Sequence, residues 1–477
     1  MGEEIKHSHF VSEDFERYKD RLTTETQLLA DAFAQDRFAK THPVAGFELE
    51  SWLVDHNFCP APINEAFLNQ LNNPLASPEL ANFNIELNTE PRPLQGYTLS
   101  AMHQALDETW VACCVTAEQL DTKIIMCGIL PTCSNEDLNL ANMSNMKRYR
   151  ALNREVIHRR KGKPLVLDIN GEEHLKVTHR DVMLESAATS FQVHMQVNRE
   201  QAVRFYNASI LLSAPIVALS ANSPYFMGKD LWDETRIPLF EQAVAIGGYD
   251  GANFGPIHRV SFGTGYAHKS MMECFEENLA HYPVLLPVDL EEPASAFPHL
   301  KLHNGTIWRW NRPLISLDDD GLLQFRIEHR VIPAGPTIID TIANAAFYYG
   351  VVTSLAQAQV APEYQLDFAK AKDNFYRAAQ LGLRAHIDWI DGQRYPMTTL
   401  INDVLLPMAY EGLVRLGIAD SDRQDYLEVI EQRVVKKATG AHWQRAYVKK
   451  HGHDMFAMTA QYYMQQNSGN PVHDWTV

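Results

Sequence analysis

Apolar residues recur at helical spacing over roughly 12–38 and 99–120, so both stretches predict amphipathic helices. Residues 46–92 instead show short apolar runs broken by turn residues, which predict strands. A further apolar strand is expected in IIMCGIL at 124–130. In LVLDINGEEHLKV, 165–177, Asn170-Gly171 stands between two alternating arms and predicts a hairpin. A strand at 190–197 leads into a helix with Asn198 as N-cap, and the apolar stripe 205–221 reads as the core face of that helix. LQFRIEHRVI, 323–332, is a strand closed by Pro333, Gly335 and Pro336, and helix returns near 338. From about 365 to 466 the pattern is mostly helical, which divides the chain into 1–364 and a helical C-terminal region, 365–477. The elements mix without βαβ alternation, so the pattern predicts an α+β fold on an antiparallel sheet.

Side chains alternate across a strand with period two. In 46–54, Glu48 and Glu50 share a face opposite Phe47, Leu49 and Leu53. In 83–88, Asn84, Glu86 and Asn88 oppose Phe83, Ile85 and Leu87. In 191–197, Gln192, His194 and Gln196 oppose Phe191, Val193, Met195 and Val197. In 324–331, Gln324, Arg326, Glu328 and Arg330 oppose Phe325, Ile327, His329 and Val331. A solvated face is the ordinary explanation of one such strand. These faces, however, carry acids, amides, His and Arg and no Lys. If the strands are neighbours, their carboxylates repel unless cations neutralise them. Oxygen ligands with a single imidazole suit Mg²⁺ or Mn²⁺ better than zinc.

Composition narrows the classes. The 477 residues are 45% hydrophobic and 21% charged, ordinary for a globular protein, and long enough for a large core. A net charge of −17 argues against nucleic acid as a partner. The start, MGEEIKHSHF, lacks a basic-then-apolar leader, and the run ILLSAPIVALSA at 210–221 is too short to span a bilayer. A soluble cytoplasmic protein without a membrane partner is expected. The six cysteines form no C-x-x-C pair and read as reduced packing residues. GTGYAHKS, 263–270, fails both the P-loop and the G-x-G-x-x-G pattern, and no G-x-S-x-G elbow occurs. A nucleotide, if bound, needs another cradle, such as a metal-lined sheet with arginines.

GFELE, IELNTEP, QVHMQV, LSANSPYFMGKDLWDETR, HNGTIWRWNRP and FRIEHR occur in an order that resembles the glutamate–cysteine ligases. The resemblance is to the type 2 branch, the carboxylate–amine ligases of the glutamine synthetase superfamily, and covers roughly 44–350. It implies a curved antiparallel sheet with helices on its convex side. It also implies a concave face holding ATP and two or three Mg²⁺ (or Mn²⁺) ions, with 365–477 packed on the same domain. The implied chemistry joins a glutamate-like carboxylate to an amine through an acyl phosphate. Carried over by residue, Glu50 and Glu86, with Glu79, resemble ligands of one ion, and Glu48, His194 and Glu328 those of a second. Arg330 resembles the arginine that binds the carboxylate substrate. Arg312 resembles one directed at the transferring phosphate, with Arg309 upstream where a second phosphate-binding arginine is missing. Arg236 and the pair Arg148-Tyr149 resemble further substrate contacts. Loops around 130–160 and 247–270 are candidate covers, and the helical tail leaves room for a homo-oligomer. Two other readings share these residues: a small-molecule kinase of the same superfold, and a nucleotide-binding regulator without turnover.

Overall fold

The structure, a computed structural model, describes residues 4–5, 8–246 and 258–477. Its frame is a curled antiparallel sheet of β1 (Val44–Val54), β2 (Ala76–Pro78), β3 (Asn84–Asn88), β4 (Arg92–Pro93), β5 (Lys123–Ile125), β6 (Ser190–Val197), β7 (Asn311–Leu317) and β8 (Leu323–Pro333). The strand order is β7–β8–β6–β1–β3–β2, with β4 and β5 paired to β1. The four segments read as strands are therefore neighbours. Their apolar sides carry Phe47, Phe191, Ile327 and His329 into the core. Two buried helices pack there, α1 (Arg199–Ser220) and α2 (Ile338–Ala356). Phe47 stacks on Tyr349, and His329 lies flat on Tyr348 with ring centroids 4.4 Å apart. The Tyr349 hydroxyl donates to the His194 carbonyl at 3.0 Å, pinning α2 to β6. The fold is α+β, with helices against one face of the sheet.

α1 and α2 are each long and apolar enough to cross a membrane by length and composition, although the apolar run alone within α1 is not; both are buried in the core. Asn198 does precede α1, but its side-chain oxygen accepts from the Thr41 amide instead of capping the helix.

Other expectations shift at their edges. The first helix stops at Ala34, and Phe38 already bridges to Leu323. Within 46–92, Asn64–Leu71 is helical; Asn64 is buried and its amide binds the carbonyls of Ala81 and Asn84. Of 124–130, only the start is strand. Beyond it, Gly128 exchanges backbone bonds with Asn222 and Thr189 outside any regular ladder. The hairpin forms as Leu165–Asn170 against His174–His179. The C-terminal helices share one continuous core with the sheet, running from Tyr18 to Trp475. Two of them, α3 (Leu406–Leu416) and α4 (Asp420–Val435), pack on α2. All six cysteines are unpaired.

Candidate active site

Register places the acids. Glu50 lies opposite Glu86 across β1 and β3, and Glu48 opposite Gln192 across β1 and β6. His194 pairs with Glu328 across β6 and β8, and Glu328 with Arg312 across β8 and β7. Two groups result, Glu48–His194–Glu328 and Glu50–Glu79–Glu86, each with ligand-type atoms within 4.8 Å of one another. Glu79 joins from just past the end of β2, where Ser77 pairs with Glu86.

The groups differ in electrostatics. Burial would raise the Glu48 carboxyl, but the adjacent His194 ring outweighs it and brings it down to about 2. Glu328 likewise stays below the carboxylate range: burial opposes this, and Arg312 and Arg330 outweigh it. In the other group compensation is incomplete. Burial, then the charge of Glu86, raises Glu50 to about 7 against the pull of Arg330. Glu79 and Glu86 are raised as well, first by burial and then by neighbouring carboxylates. One group is thus balanced by cationic side chains, and in the other the pull of nearby arginines is too weak to offset burial and mutual repulsion.

A divalent cation fits this donor set. His194 Nε2 stands 3.2 Å from Glu48 Oε1, yet neither ring nitrogen has hydrogen-bond geometry to any partner. Buried polar atoms left in that state are uncommon, and a shared cation would satisfy both groups. Crowded buried carboxylates in the second group pose the same need. Carboxylate oxygens with one imidazole nitrogen suit Mg²⁺ or Mn²⁺.

The arginines are distributed unequally. Arg312 grips Glu328 with two nitrogens, at 2.7 and 2.8 Å, and reaches the Gly305 carbonyl with the third. Arg330 donates to Glu328 at 2.9 Å and to Gln192. Arg148 lies over the Tyr149 ring and donates to its hydroxyl, which donates to Pro78 beside Glu79. Arg236 is buried and its guanidinium is taken up by the protein itself: it binds Glu234 and the backbone carbonyls of Arg330 and Val331. Arg309 is not brought to either group. It is buried against Glu277, Asn278 and the face of Tyr282.

A cavity of about 120 Å³ opens over Glu48, His194, Asn88, Gln196 and Arg326. A larger one, about 820 Å³, lies by Trp110, Cys114, Ile338 and Tyr463 and touches neither acid group. Glu185, in a 3-10 turn (Met183–Ala187), escaped the sequence reading because it follows no strand period. Burial and then the Glu50 charge push it to about 8. Of the candidate covers, 130–160 includes the helix that carries Arg148 and Tyr149. Residues 247–257 of the other lie outside the described residues.

The family model of glutamate–cysteine ligase family 2 (GCS2) matches residues 44–464, from the first residue of β1 into the last long helix. The chain belongs to glutamate–cysteine ligase family 2. Membership makes it a carbon–nitrogen ligase, of the carboxylate–amine type. Among solved structures, a glutamate–cysteine ligase from Francisella tularensis in complex with AMP is similar, with TM-score 0.55, 11% identity and 90% of each chain covered. A bifunctional glutathione synthetase from Pasteurella multocida gives TM-score 0.48 and 12% identity, over 95% of this chain and 55% of that one. The first shows that the chain shares the fold of a glutamate–cysteine ligase. No curated protein sequence matches the chain.

Proposed function

We propose that this family 2 ligase uses ATP to activate a small-molecule carboxylate as an acyl phosphate, which an amine then converts to an amide. One observation carries the reading: two acid groups and two arginines bonded to Glu328 share one sheet face. In this reading Glu50, Glu79 and Glu86 hold one divalent cation, and Glu48, His194 and Glu328 another. Two or three Mg²⁺ or Mn²⁺ ions bound there would neutralise the acids and the phosphate oxygens of ATP. The similar Francisella ligase, solved with AMP, agrees with an adenine nucleotide.

Phosphoryl transfer needs positioning and charge stabilisation more than covalent help. Arg312 would serve the transferring phosphate once a cation takes over Glu328 and frees its fork, which suits oxygen groups. Arg330 would hold the carboxylate substrate, with Arg148 and Tyr149 at the mouth and Arg236 bracing β8. Covering segments would keep water from the acyl phosphate. A glutamate-like carboxylate, and so a γ-glutamyl amide, is the first candidate product. We place the enzyme in the cytoplasm, acting on small molecules.

The test is phosphate release from ATP with Mg²⁺ or Mn²⁺ across a matrix of amino-acid carboxylates and amines. Amine-dependent release with an amide product is expected. A phosphorylated product that forms without amine would turn the reading into a kinase. Nucleotide binding without turnover would turn it into a regulator.

A further inference from the structure

Gln192 stands on the floor between Ser190 and His194 and is fully buried. Its Nε2 donates to Glu50 Oε1 at 3.0 Å, and its Oε1 accepts from Arg330 Nη1. A guanidinium cannot accept, so the amide oxygen must face Arg330 and the amide nitrogen is left for Glu50. The amide therefore satisfies both neighbours in one orientation only. The backbone is shaped around this contact. His329 pairs with Val193 and Ile332 with Phe191, so Arg330 and Val331 together oppose Gln192 as a β-bulge. The carbonyls of both bulge residues accept from Arg236. The other oxygen of Glu50 is held by the Ser190 amide at 2.6 Å. Without Gln192, Glu50 keeps one tether of two, and Arg330 keeps only its bond to Glu328.

We propose that Gln192 is a positioning residue that locks Glu50 of the acid trio to Arg330, so that the cation side and the carboxylate side of the site are set by one amide. The inference rests on the ligase reading above. Groups that orient metal-ligating side chains are worth about 10–100-fold in metal affinity or activity.

The test uses the full chain, with Mn²⁺ as the probe. Gln192→Met keeps the length of the side chain and removes both polar ends. Mn²⁺ binding to the protein alone, read from the resonance of free Mn²⁺, is expected to weaken about 10–100-fold. At saturating Mn²⁺, KM for the carboxylate is expected to rise about tenfold, the effect of one hydrogen bond to a charged group. Gln192→Asn keeps both polar ends but shortens their reach, and its Mn²⁺ affinity and KM are expected to fall between those of wild type and Gln192→Met. A residue that only fills space would lower thermal stability in both variants and leave Mn²⁺ affinity and KM unmoved; that result overturns the inference. Should Gln192→Met not fold, Mn²⁺ affinity and KM equal to wild type in Gln192→Asn overturn it instead. A wild type that binds Mn²⁺ yet forms no amide sinks the ligase reading, and the Mn²⁺ comparison still decides the role of Gln192. A wild type that binds no Mn²⁺ overturns both.

Discussion

Glu50 titrates near 7 because it is buried beside Glu86, against about 4.3 in an unfolded chain. Its folded pKa is raised, so the stabilisation it gives as a neutral acid is complete below the unfolded pKa. That stabilisation is lost as pH rises through 7. Glu79 and Glu86 act in the same direction. Metal-free protein is therefore expected to lose thermal stability between about pH 5 and 8. Mn²⁺ should restore more at pH 8 than at pH 5, because it replaces the protons. A Tm-against-pH series with and without Mn²⁺ checks this, and Glu50→Gln should flatten the metal-free curve; a wild-type curve already flat would count against it. Glu328 has the opposite character, since its charge is bound by two arginines. Glu328→Gln leaves those arginines uncompensated, at a cost of about 3 kcal/mol in urea denaturation. Turnover of ATP should fall about 100-fold or more. Full turnover would overturn the assignment of Glu328 to a cation, and an unchanged urea midpoint would overturn the buried ion pair. The grouping was legible in part, because period two puts each of Glu48, Glu50, Glu86, His194 and Glu328 on the polar face of its own strand; that these strands are neighbours came from the structure. Which groups would be charged was not legible, since that depends on which arginines reach which acid. Arg309 shows the difference: it stands three residues from Arg312, yet Glu277 and Asn278 claim it.

Elements were read well where one face is apolar and poorly where backbone bonds leave the ladder. The strand expected over 124–130 ends early because Gly128 bonds Asn222 and Thr189, partners far away in sequence. The helix Asn64–Leu71 is too short to show a period, and tertiary bonds from Asn64 to Ala81 and Asn84 tie its start down. Close approach between helices was equally invisible. A Cβ on Gly412 of α3 would lie 1.8 Å from the Gly350 carbonyl oxygen of α2. One on Gly350 would lie 2.3 Å from the Ala409 carbonyl oxygen. Glycine inside a helix costs about 1 kcal/mol relative to alanine, so its presence on both helices marks a packing need. Gly412→Ala is expected to destabilise by about 3 kcal/mol, since neither backbone can yield without parting the helices. Urea denaturation of the variant measures this. A midpoint equal to wild type would show that α2 and α3 do not approach so closely.

The whole molecule raises the question of whether the helical region after 364 stands alone. Its contacts argue that it cannot be spared. Arg433 of α4 is buried against Asp340 at 2.8 Å and also binds Asn344, both on α2. Gln466 exchanges bonds with the Met126 backbone, and Tyr462 with Asn222 and Met126. Both lie beside the turn that follows β8, and Gly440 packs against the Asn222 side chain. Removing 365–477 would strip Asp340 of Arg433 and bare the apolar surface of α2 that α3 and α4 cover. Apolar surface bared to water costs roughly 25 cal/mol per Å², against a stability of about 5–15 kcal/mol for an ordinary domain. α2 also carries Tyr348 and Tyr349 against the back of the acid floor. Loss of its cover would therefore loosen the site as well as the core. A 1–364 chain is expected to be insoluble or to unfold without a cooperative transition, and to bind no Mn²⁺. The full chain should unfold in one transition seen alike by far- and near-ultraviolet circular dichroism. A soluble 1–364 chain that melts cooperatively and binds Mn²⁺ would make the tail a separate domain, and its ion pair to α2 a docking contact.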